Sequence, residues 1–258
     1  MDKNTALPLV VAIALFVAGV TAGALTMTVV DDTGSPTGNR QRGITFDDPY
    51  EPTIDPADFV KGIDNPYYPM VPGTVWVYEG TSEEGLERIE FRVLEETRTV
   101  MGVECVVVRD TVSIDGEVIE DTYDWFAQDV DGNVWYFGED SKEIENGQVV
   151  STAGSWEAGV DGALPGIIML AEPYVGITYR QEFYAGEAED MATVLDLDGT
   201  ISIRGDVYHD VLVLKAFTPL DPDSVEYNFV VPGVGIVAEG PLDNPVGRVE
   251  LVDHTPPG

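Results

Sequence analysis

Short turn dipeptides between apolar segments constrain the fold of this chain more than any other feature. Asp-Gly and Asn-Gly pairs tolerate the positive φ angles that type I′ hairpin turns require. Such pairs lie at Asp115-Gly116, Asp131-Gly132, Asn146-Gly147 and Asp198-Gly199. Because type I′ turns join adjacent antiparallel strands, the sequence predicts a run of β-hairpins.

Between these turns the residues alternate as half-buried strands do. In one strand Ile89, Phe91 and Val93 alternate with Glu90 and Arg92; in another Tyr123, Trp125 and Ala127 alternate with Asp124 and Gln128. We expect one face of each strand to pack on a core and the other to face water. Further strands are expected at 75–79, 105–111, 178–184, 211–217, 225–231, 236–239 and 246–252, and residues 186–195 are a candidate short helix. The predicted fold class is all-β: an antiparallel curved sheet or partly closed barrel of hairpins, forming a single β domain over residues 59–254.

The N-terminus carries an uncharged apolar stretch, residues 6–30, which follows Lys3 and precedes Asp31. At about 1.5 Å of rise per residue it is long enough to span a bilayer as a hydrophobic helix. The same stretch is equally consistent with a signal peptide that is cleaved after the small residues Ala22 to Ala24. Both alternatives, anchor and signal peptide, place the β domain outside the cytoplasm, secreted or anchored to the membrane through residues 6–30.

Residues 31–58 differ from the predicted β domain, because proline, glycine and acidic residues replace the apolar alternation. Proline favours extended backbone and like charges repel, so this segment is predicted to be an acidic linker. The alternative is that Tyr50 and the Phe59-Val60 pair pack onto the surface of the domain.

Charge restricts the partners. The chain has 47 acidic and 13 basic side chains, a net charge of −34, yet 44% of its residues are hydrophobic. So acidic a protein lacks the basic clusters that bind nucleic acid, and its hydrophobic content is sufficient for a packed core. Such a surface is typical of salt-loving organisms, and we expect stability to rise as the salt concentration increases from about 0.1 to 2 M.

Few residue patterns indicate catalysis. The chain has two histidines, His209 and His254, and one cysteine, Cys105, which we expect to be buried in a strand. Asp129 to Asn133 has closely spaced oxygen ligands, but its glycine is misplaced for a calcium loop, so a hairpin turn is favoured. Acidic pairs such as Glu157 with Asp161, or Glu187 with Asp190, are expected to be solvated. No catalytic residue, metal or cofactor is predicted.

One apolar segment, residues 163–171, lacks alternation and contains a central Pro165-Gly166 pair. We expect it to form a loop or short turn that plugs the open side of a curved sheet. The alternative is the lip of an apolar pocket, since ligand clefts are mostly apolar. The predicted ligand-binding residues are then Trp156, Ile167, Ile168 and Met169, in contact with a lipid or other hydrophobic ligand.

Four segments carry a resemblance to a known family: 73–78 (GTVWVY), 124–138 (DWFAQDVDGNVWYFG), 155–159 (SWEAG) and 232–235 (PGVG). Over residues 59–253 the chain resembles uncharacterised secreted or surface β-rich proteins of bacteria and archaea. That resemblance implies an extracytoplasmic β domain and transfers no catalytic residue. The leading expectation is a non-enzymatic binding or envelope domain. The alternatives are a secreted, carboxylate-dependent glycan hydrolase and a carrier of a hydrophobic ligand; the oligomeric state is left open.

Overall fold

The computed structural model describes residues 49–82, 84–244 and 247–257, and their regular structure is almost entirely β. A single 3-10 turn, Pro56–Asp58, precedes the first strand. The strands are β1 Phe59–Val60, β2 Val75–Thr81, β3 Leu86–Val100, β4 Val103–Ile114, β5 Glu117–Asp129, β6 Val134–Asp140, β7 Glu143–Glu145, β8 Gln148–Ser151, β9 Trp156–Glu157, β10 Leu164–Met169, β11 Thr178–Arg180, β12 Glu182–Phe183, β13 Met191–Ile203, β14 Asp206–Thr218, β15 Asp221–Val231, β16 Gly235–Gly240 and β17 Val249–Thr255.

The strands form one nearly closed antiparallel ring. Within the series β2 to β6, consecutive strands pair with each other, and the same holds within the series β13 to β17. On one side β17 pairs with β2, with Thr255 opposite Val75. On the other, β6 pairs with β10, β10 with β12, and β11 with β13. The expectation of an all-β, antiparallel, partly closed barrel is confirmed.

The turn chemistry was predicted correctly at two hairpins. Asp115 and Gly116 have φ angles of 49° and 85°, and Asn146 and Gly147 have 51° and 71°, as type I′ turns require.

At Asp198-Gly199 the turn prediction was wrong, because both residues lie inside β13. That strand turns at Arg204-Gly205, where φ is 51° and 98°. Gly199 serves a different purpose, since a Cβ there would lie 2.8 Å from the carbonyl oxygen of Val211 on the paired strand. The short helix considered for residues 186–195 is wrong as well, because β13 begins at Met191 and no helix forms in this described segment.

The two alternation patterns had different outcomes. In β3 the prediction is confirmed: Ile89 and Val93 are each 1% exposed, and Arg92 is exposed. In β5 the prediction of one wet face is wrong, because Asp124 is fully buried and Gln128 is 6% exposed. The opposite face of β5 is covered too, with the Arg98 guanidinium 3.9 Å from the centre of the Trp125 ring.

The apolar segment 163–171 forms strand β10, and the prediction of a loop or turn is wrong. It pairs with β6 through Gly166 opposite Tyr136, and with β12 through Pro165 opposite Glu182. Alternation is missing because the strand is covered on both sides; the Tyr50 hydroxyl, for example, donates to the Pro165 carbonyl at 2.8 Å.

The described part of the predicted linker, residues 49–58, leads into β1 and packs on the barrel. Phe59 of β1 makes edge-on contacts with Trp135 and Phe137, at ring-centre distances of 6.3 and 5.5 Å. The apolar stretch 6–30 lies outside the described residues. Within the described ranges, no helix has the length and hydropathy needed to cross a bilayer.

Candidate functional site: an acid-lined barrel interior

An interior cavity of about 40 Å³, partly open to solvent, lies within the ring of strands. Its wall is mostly apolar or aromatic: Tyr68, Pro69, Met70, Trp76, Tyr78, Ile89, Phe91, Ile168, Met169, Leu214, Gly235 and Ile236. Hydrogen bonds fix two side chains of the wall. Trp76 Nε1 donates to the Val234 carbonyl at 2.7 Å, and the Tyr78 hydroxyl donates to the Ile236 carbonyl at 3.0 Å.

Three polar side chains complete the wall: Asp110, Gln181 and Asn228. They are 6%, 4% and 2% exposed. Among the described residues, no donor lies within hydrogen-bond distance of Asp110 Oδ1, Gln181 Oε1 or Asn228 Oδ1. The Gln181 side chain is oriented by its amide nitrogen, which donates to the Ile168 carbonyl at 3.3 Å. The cavity thus presents hydrogen-bond acceptors in an otherwise apolar wall.

Strand register explains why Asp110 points inward. Asp110 of β4 lies opposite Phe91 of β3 and Thr122 of β5. In β5 the buried positions Glu120, Thr122 and Asp124 alternate with the half-buried Asp121 and Tyr123. Because side chains in a strand alternate between faces, all the buried members of this set lie on the interior face.

Asp110 belongs to an acid cluster that lines the barrel interior. Eight described acidic side chains are buried: Glu87, Asp110, Glu120, Asp124, Glu139, Glu182, Asp190 and Glu239. Asp124 and Glu139 lie opposite each other in the β5–β6 pair, and Glu239 lies opposite Asn228 in the β15–β16 pair. The cluster therefore extends around much of the ring.

Several of these carboxyls have hydrogen-bond donors. Tyr136 Oη donates to Asp124 Oδ1 at 3.0 Å, and Trp156 Nε1 donates to Glu182 Oε2 at 3.1 Å. The Thr122 hydroxyl lies 3.0 Å from Glu120 Oε1. Glu239 is different, because its side chain interacts with another carboxyl, that of Glu226, and this contact raises the pKa of Glu239 further.

Burial raises the pKa of every carboxyl in the cluster, because the charged form loses its hydration. The pKa rises to about 7 for Glu87 and Glu120, and to about 6 for Asp190. For Asp110 and Asp124 burial raises the pKa well above the usual range, and repulsion from neighbouring carboxylates raises it further. At neutral pH Asp110 and Asp124 therefore favour the protonated, uncharged form.

One basic side chain, Arg180, is buried among the described residues. Its guanidinium lies 4.7 Å from the Phe183 ring centre and 5.7 Å from that of Tyr50, and 3.9 Å from Glu189 Oε2. Arg180 is not part of the described cavity wall. The described cavity wall therefore contains no basic side chain.

The structure separates the four predicted ligand-binding residues. Ile168 and Met169 line the cavity, whereas Trp156 and Ile167 do not. Trp156 is buried at another part of the interior, where it donates to Glu182 and packs edge-on against Tyr136.

Other predicted features are placed as follows. Asp129 closes a hairpin turn, because its carboxylate accepts hydrogen bonds from the backbone and side-chain nitrogens of Asn133 and from Trp135 Nε1. Cys105 is fully buried in β4. Glu157 pairs with Arg98 at the surface, but Asp190, expected to be solvated, is 6% exposed.

Sequence reasoning missed Asp110, Gln181 and Asn228. Asp110 has the same parity in β4 as Val106 and Val108, and the exposed Arg109 lies between them, so its inward register was available from the strand pattern. With so many acidic residues in the chain, no single one was distinctive. Gln181 lies between two short strands and offers no periodic pattern at all.

The composition of the cavity wall is that of a small-molecule binding site. Among residues 49–82, 84–244 and 247–257, no group of three or more His, Cys, Asp or Glu residues is arranged to hold a metal ion. A mostly apolar pocket with a few convergent polar groups is the usual form of a small-molecule site.

Comparisons with known proteins add little to this geometry. No family model matches the chain, and no curated protein matches it. A solved structure with some likeness is a "putative lipoprotein" from Parabacteroides distasonis ATCC 8503, 13% identical, with a TM-score of 0.32, covering 73% of this chain and 98% of that chain. At this level of likeness, function has to be argued from the interior of the barrel itself.

Proposed function

We propose that this protein is a non-enzymatic binding domain that holds a small, mostly apolar molecule in the interior cavity. The observation that carries the proposal is that three residues of an otherwise apolar wall, Asp110, Gln181 and Asn228, each have a buried oxygen with no described hydrogen-bond partner. Unpartnered buried polar atoms cost free energy, so a ligand that supplies donors to them is stabilised.

The volume of the cavity determines the size of the ligand. Pockets for drug-sized molecules have volumes of about 300–1,000 Å³. At about 40 Å³ the interior cavity accommodates a small group rather than a lipid chain. The proposal therefore concerns small amphiphilic molecules.

The sequence supports an extracytoplasmic location, secreted or anchored, in a salt-rich environment. Residues 6–30 are uncharged and follow Lys3, and the net charge of the chain is −34. The resemblance to secreted and surface β-rich proteins agrees with this location and stays a prediction.

Native mass spectrometry of protein purified without detergent tests the proposal. We expect a small bound molecule in the wild type and its loss in Ile168→Phe, which fills the cavity. Ile167→Phe is the matched control, because Ile167 precedes Ile168 and does not line the cavity. Identical ligand-free spectra for all three proteins, with a crystal structure showing only water inside the barrel, would contradict the proposal.

Glycan hydrolysis by paired carboxylates remains the alternative from a different class. Such enzymes need two acids about 5–10 Å apart around a polar sugar. The cavity wall is largely apolar, which favours binding over hydrolysis. Turnover of a glycan at high salt, abolished by one carboxylate-to-amide change, would support the hydrolase and refute the binding proposal.

A further inference from the structure

The charges around the interior cavity are one-sided. Asp110 has seven described electrostatic neighbours, and all of them are carboxyls or phenols. They are Glu87, Glu120, Asp121, Asp124, Glu239, Tyr68 and Tyr78. The buried Arg180 lies against Tyr50 and Phe183, away from the described wall. A negatively charged ligand would therefore find no compensating cation among the described wall residues.

The wall atoms that have no described hydrogen-bond partner are all oxygens. They are Gln181 Oε1, Asn228 Oδ1 and Asp110 Oδ1, which becomes an acceptor once its carboxyl ionises, and two donors of the wall, Trp76 Nε1 and the Tyr78 hydroxyl, are already bonded to backbone carbonyls. A ligand that supplies donors therefore satisfies these oxygens. An ammonium group supplies three donors and a positive charge, whereas a hydroxyl supplies one donor and a carboxylate supplies none.

We propose that the ligand of the interior cavity is a small apolar amine, whose ammonium group is bound by Asp110, Gln181 and Asn228. This inference rests on the proposed function, since it specifies the ligand class of the same cavity. The alkyl portion of the amine packs against Ile168, Met169 and Leu214.

Binding of an ammonium ion to Asp110 changes the protonation state of its carboxyl. Burial favours the protonated form of Asp110 in the absence of ligand. The ammonium ion stabilises the carboxylate, so binding forms a carboxylate–ammonium pair and releases one proton to solvent. Amine affinity therefore rises with pH, by up to tenfold per unit, while the affinity for a neutral ligand of the same shape stays constant.

Titration with n-propylamine, n-propanol and sodium propionate, each in 1 M NaCl at pH 8, tests the inference. The readout is the NMR shift of the Ile168 and Met169 methyl groups, because both side chains line the cavity. We expect millimolar binding of propylamine, at least tenfold tighter than that of propanol, and the weakest binding for propionate. High salt suppresses attachment of the amine to surface carboxylates.

Asp110→Asn removes the charge and retains the shape. We expect at least tenfold weaker binding of propylamine and loss of the pH dependence of its affinity. Asp131→Asn is the matched control, because Asp131 is exposed in a turn and its replacement should alter neither the affinity nor its pH dependence. If Asp110→Asn does not fold, the pH dependence of amine and alcohol binding to the wild type replaces it.

The outcomes separate the two proposals. If propanol or propionate binds as tightly as propylamine, or amine affinity is independent of pH, the amine inference is wrong and the binding function stands. If no probe moves the Ile168 or Met169 methyl groups, the binding function itself fails.

Discussion

Gly166 is the residue at which closure of the barrel depends on the absence of a side chain. It lies in β10, opposite Tyr136 of β6, and the backbone of Gln181 and Glu182 passes directly over it. A Cβ on Gly166 would overlap the Gln181 carbonyl. The close approach lets a single short strand join both halves of the sheet.

Replacing Gly166 with alanine should therefore lower the free energy of unfolding by at least about 3 kcal/mol, since backbone must move to relieve the overlap. Gly147→Ala is the control: φ is positive there, but no atom lies within 4 Å of the added Cβ, so we expect a loss of about 1 kcal/mol. Urea unfolding of both variants measures the difference. Equal losses would show that the approach of Gln181 is not limiting.

The residue scale is also where sequence prediction was weakest. The alternation of Ile89 and Val93 with Arg92 gave the correct buried face of β3. Successive side chains point to opposite faces of a strand, so the apolar side chains share the face that packs on the core. In β5 the same rule failed for Asp124, because the barrel buries both faces of that strand. Whether an acidic residue points to solvent or into the barrel depends on ring closure, which no local pattern contains.

At the scale of elements, β1 connects the described part of the linker, residues 49–58, to the barrel. Phe59 and Val60 pair with Asp129 and Gln128 of β5. The two side chains point in opposite directions: Phe59 packs against two aromatic rings, and Val60 is 39% exposed. Besides its backbone pairing, β1 is therefore attached by the side chain of Phe59.

We expect Phe59→Ala to cost about 2 kcal/mol of stability, because a half-buried aromatic ring is removed from Trp135 and Phe137. Val60→Ala, the neighbouring control, should cost less than about 0.5 kcal/mol, as is usual for surface substitutions. Proteolysis near residue 55 should accelerate in the first variant alone. Equal protease sensitivity of both variants would mean that β1 is held by its backbone pairing.

Hairpin elements were predictable where the turn residue had a single role. Gly116 and Gly147 only supply positive φ, and both turns were predicted correctly. Gly199 permits the close approach of β14, so its Asp-Gly pair lies in mid-strand. Strand β10 was missed because its two covered faces remove alternation, and its neighbours, β6 and β12, are distant in sequence.

At the scale of the whole molecule, acidic groups occupy both the surface and the interior of the barrel. Surface carboxylates remain hydrated, and their mutual repulsion is screened by salt. The buried carboxyls lie out of the reach of solvent ions, and burial raises their pKa. The two populations therefore respond differently to salt and pH.

The buried group predicts that stability falls as pH rises from 5 to 8. The pKa is about 7 for Glu87 and Glu120 and about 6 for Asp190 in the folded state, against about 4 in an unfolded chain. Between these values the folded state binds more protons than the unfolded state, so stability is greatest at the acidic end of the range and is lost as pH rises through the folded pKa values.

Thermal melts at pH 5, 6, 7 and 8 in 2 M NaCl measure this effect with surface repulsion screened. The Glu87→Gln, Glu120→Gln double variant should show a flatter profile and a higher Tm at pH 8. Glu145→Gln, an exposed control, should follow the wild type. A wild-type Tm that rises from pH 5 to pH 8 would show that the interior carboxyls do not control stability.

The pairing of β17 with β2 has a consequence for how the chain acquires its structure. Thr255 lies opposite Val75, so the ring closes only after the last strand has left the ribosome. Contacts this distant in sequence carry a large loop-closure entropy and slow the folding of β-sheet proteins. The acid-lined interior therefore stays open to water throughout synthesis, and its carboxyls lose their hydration only in the final step.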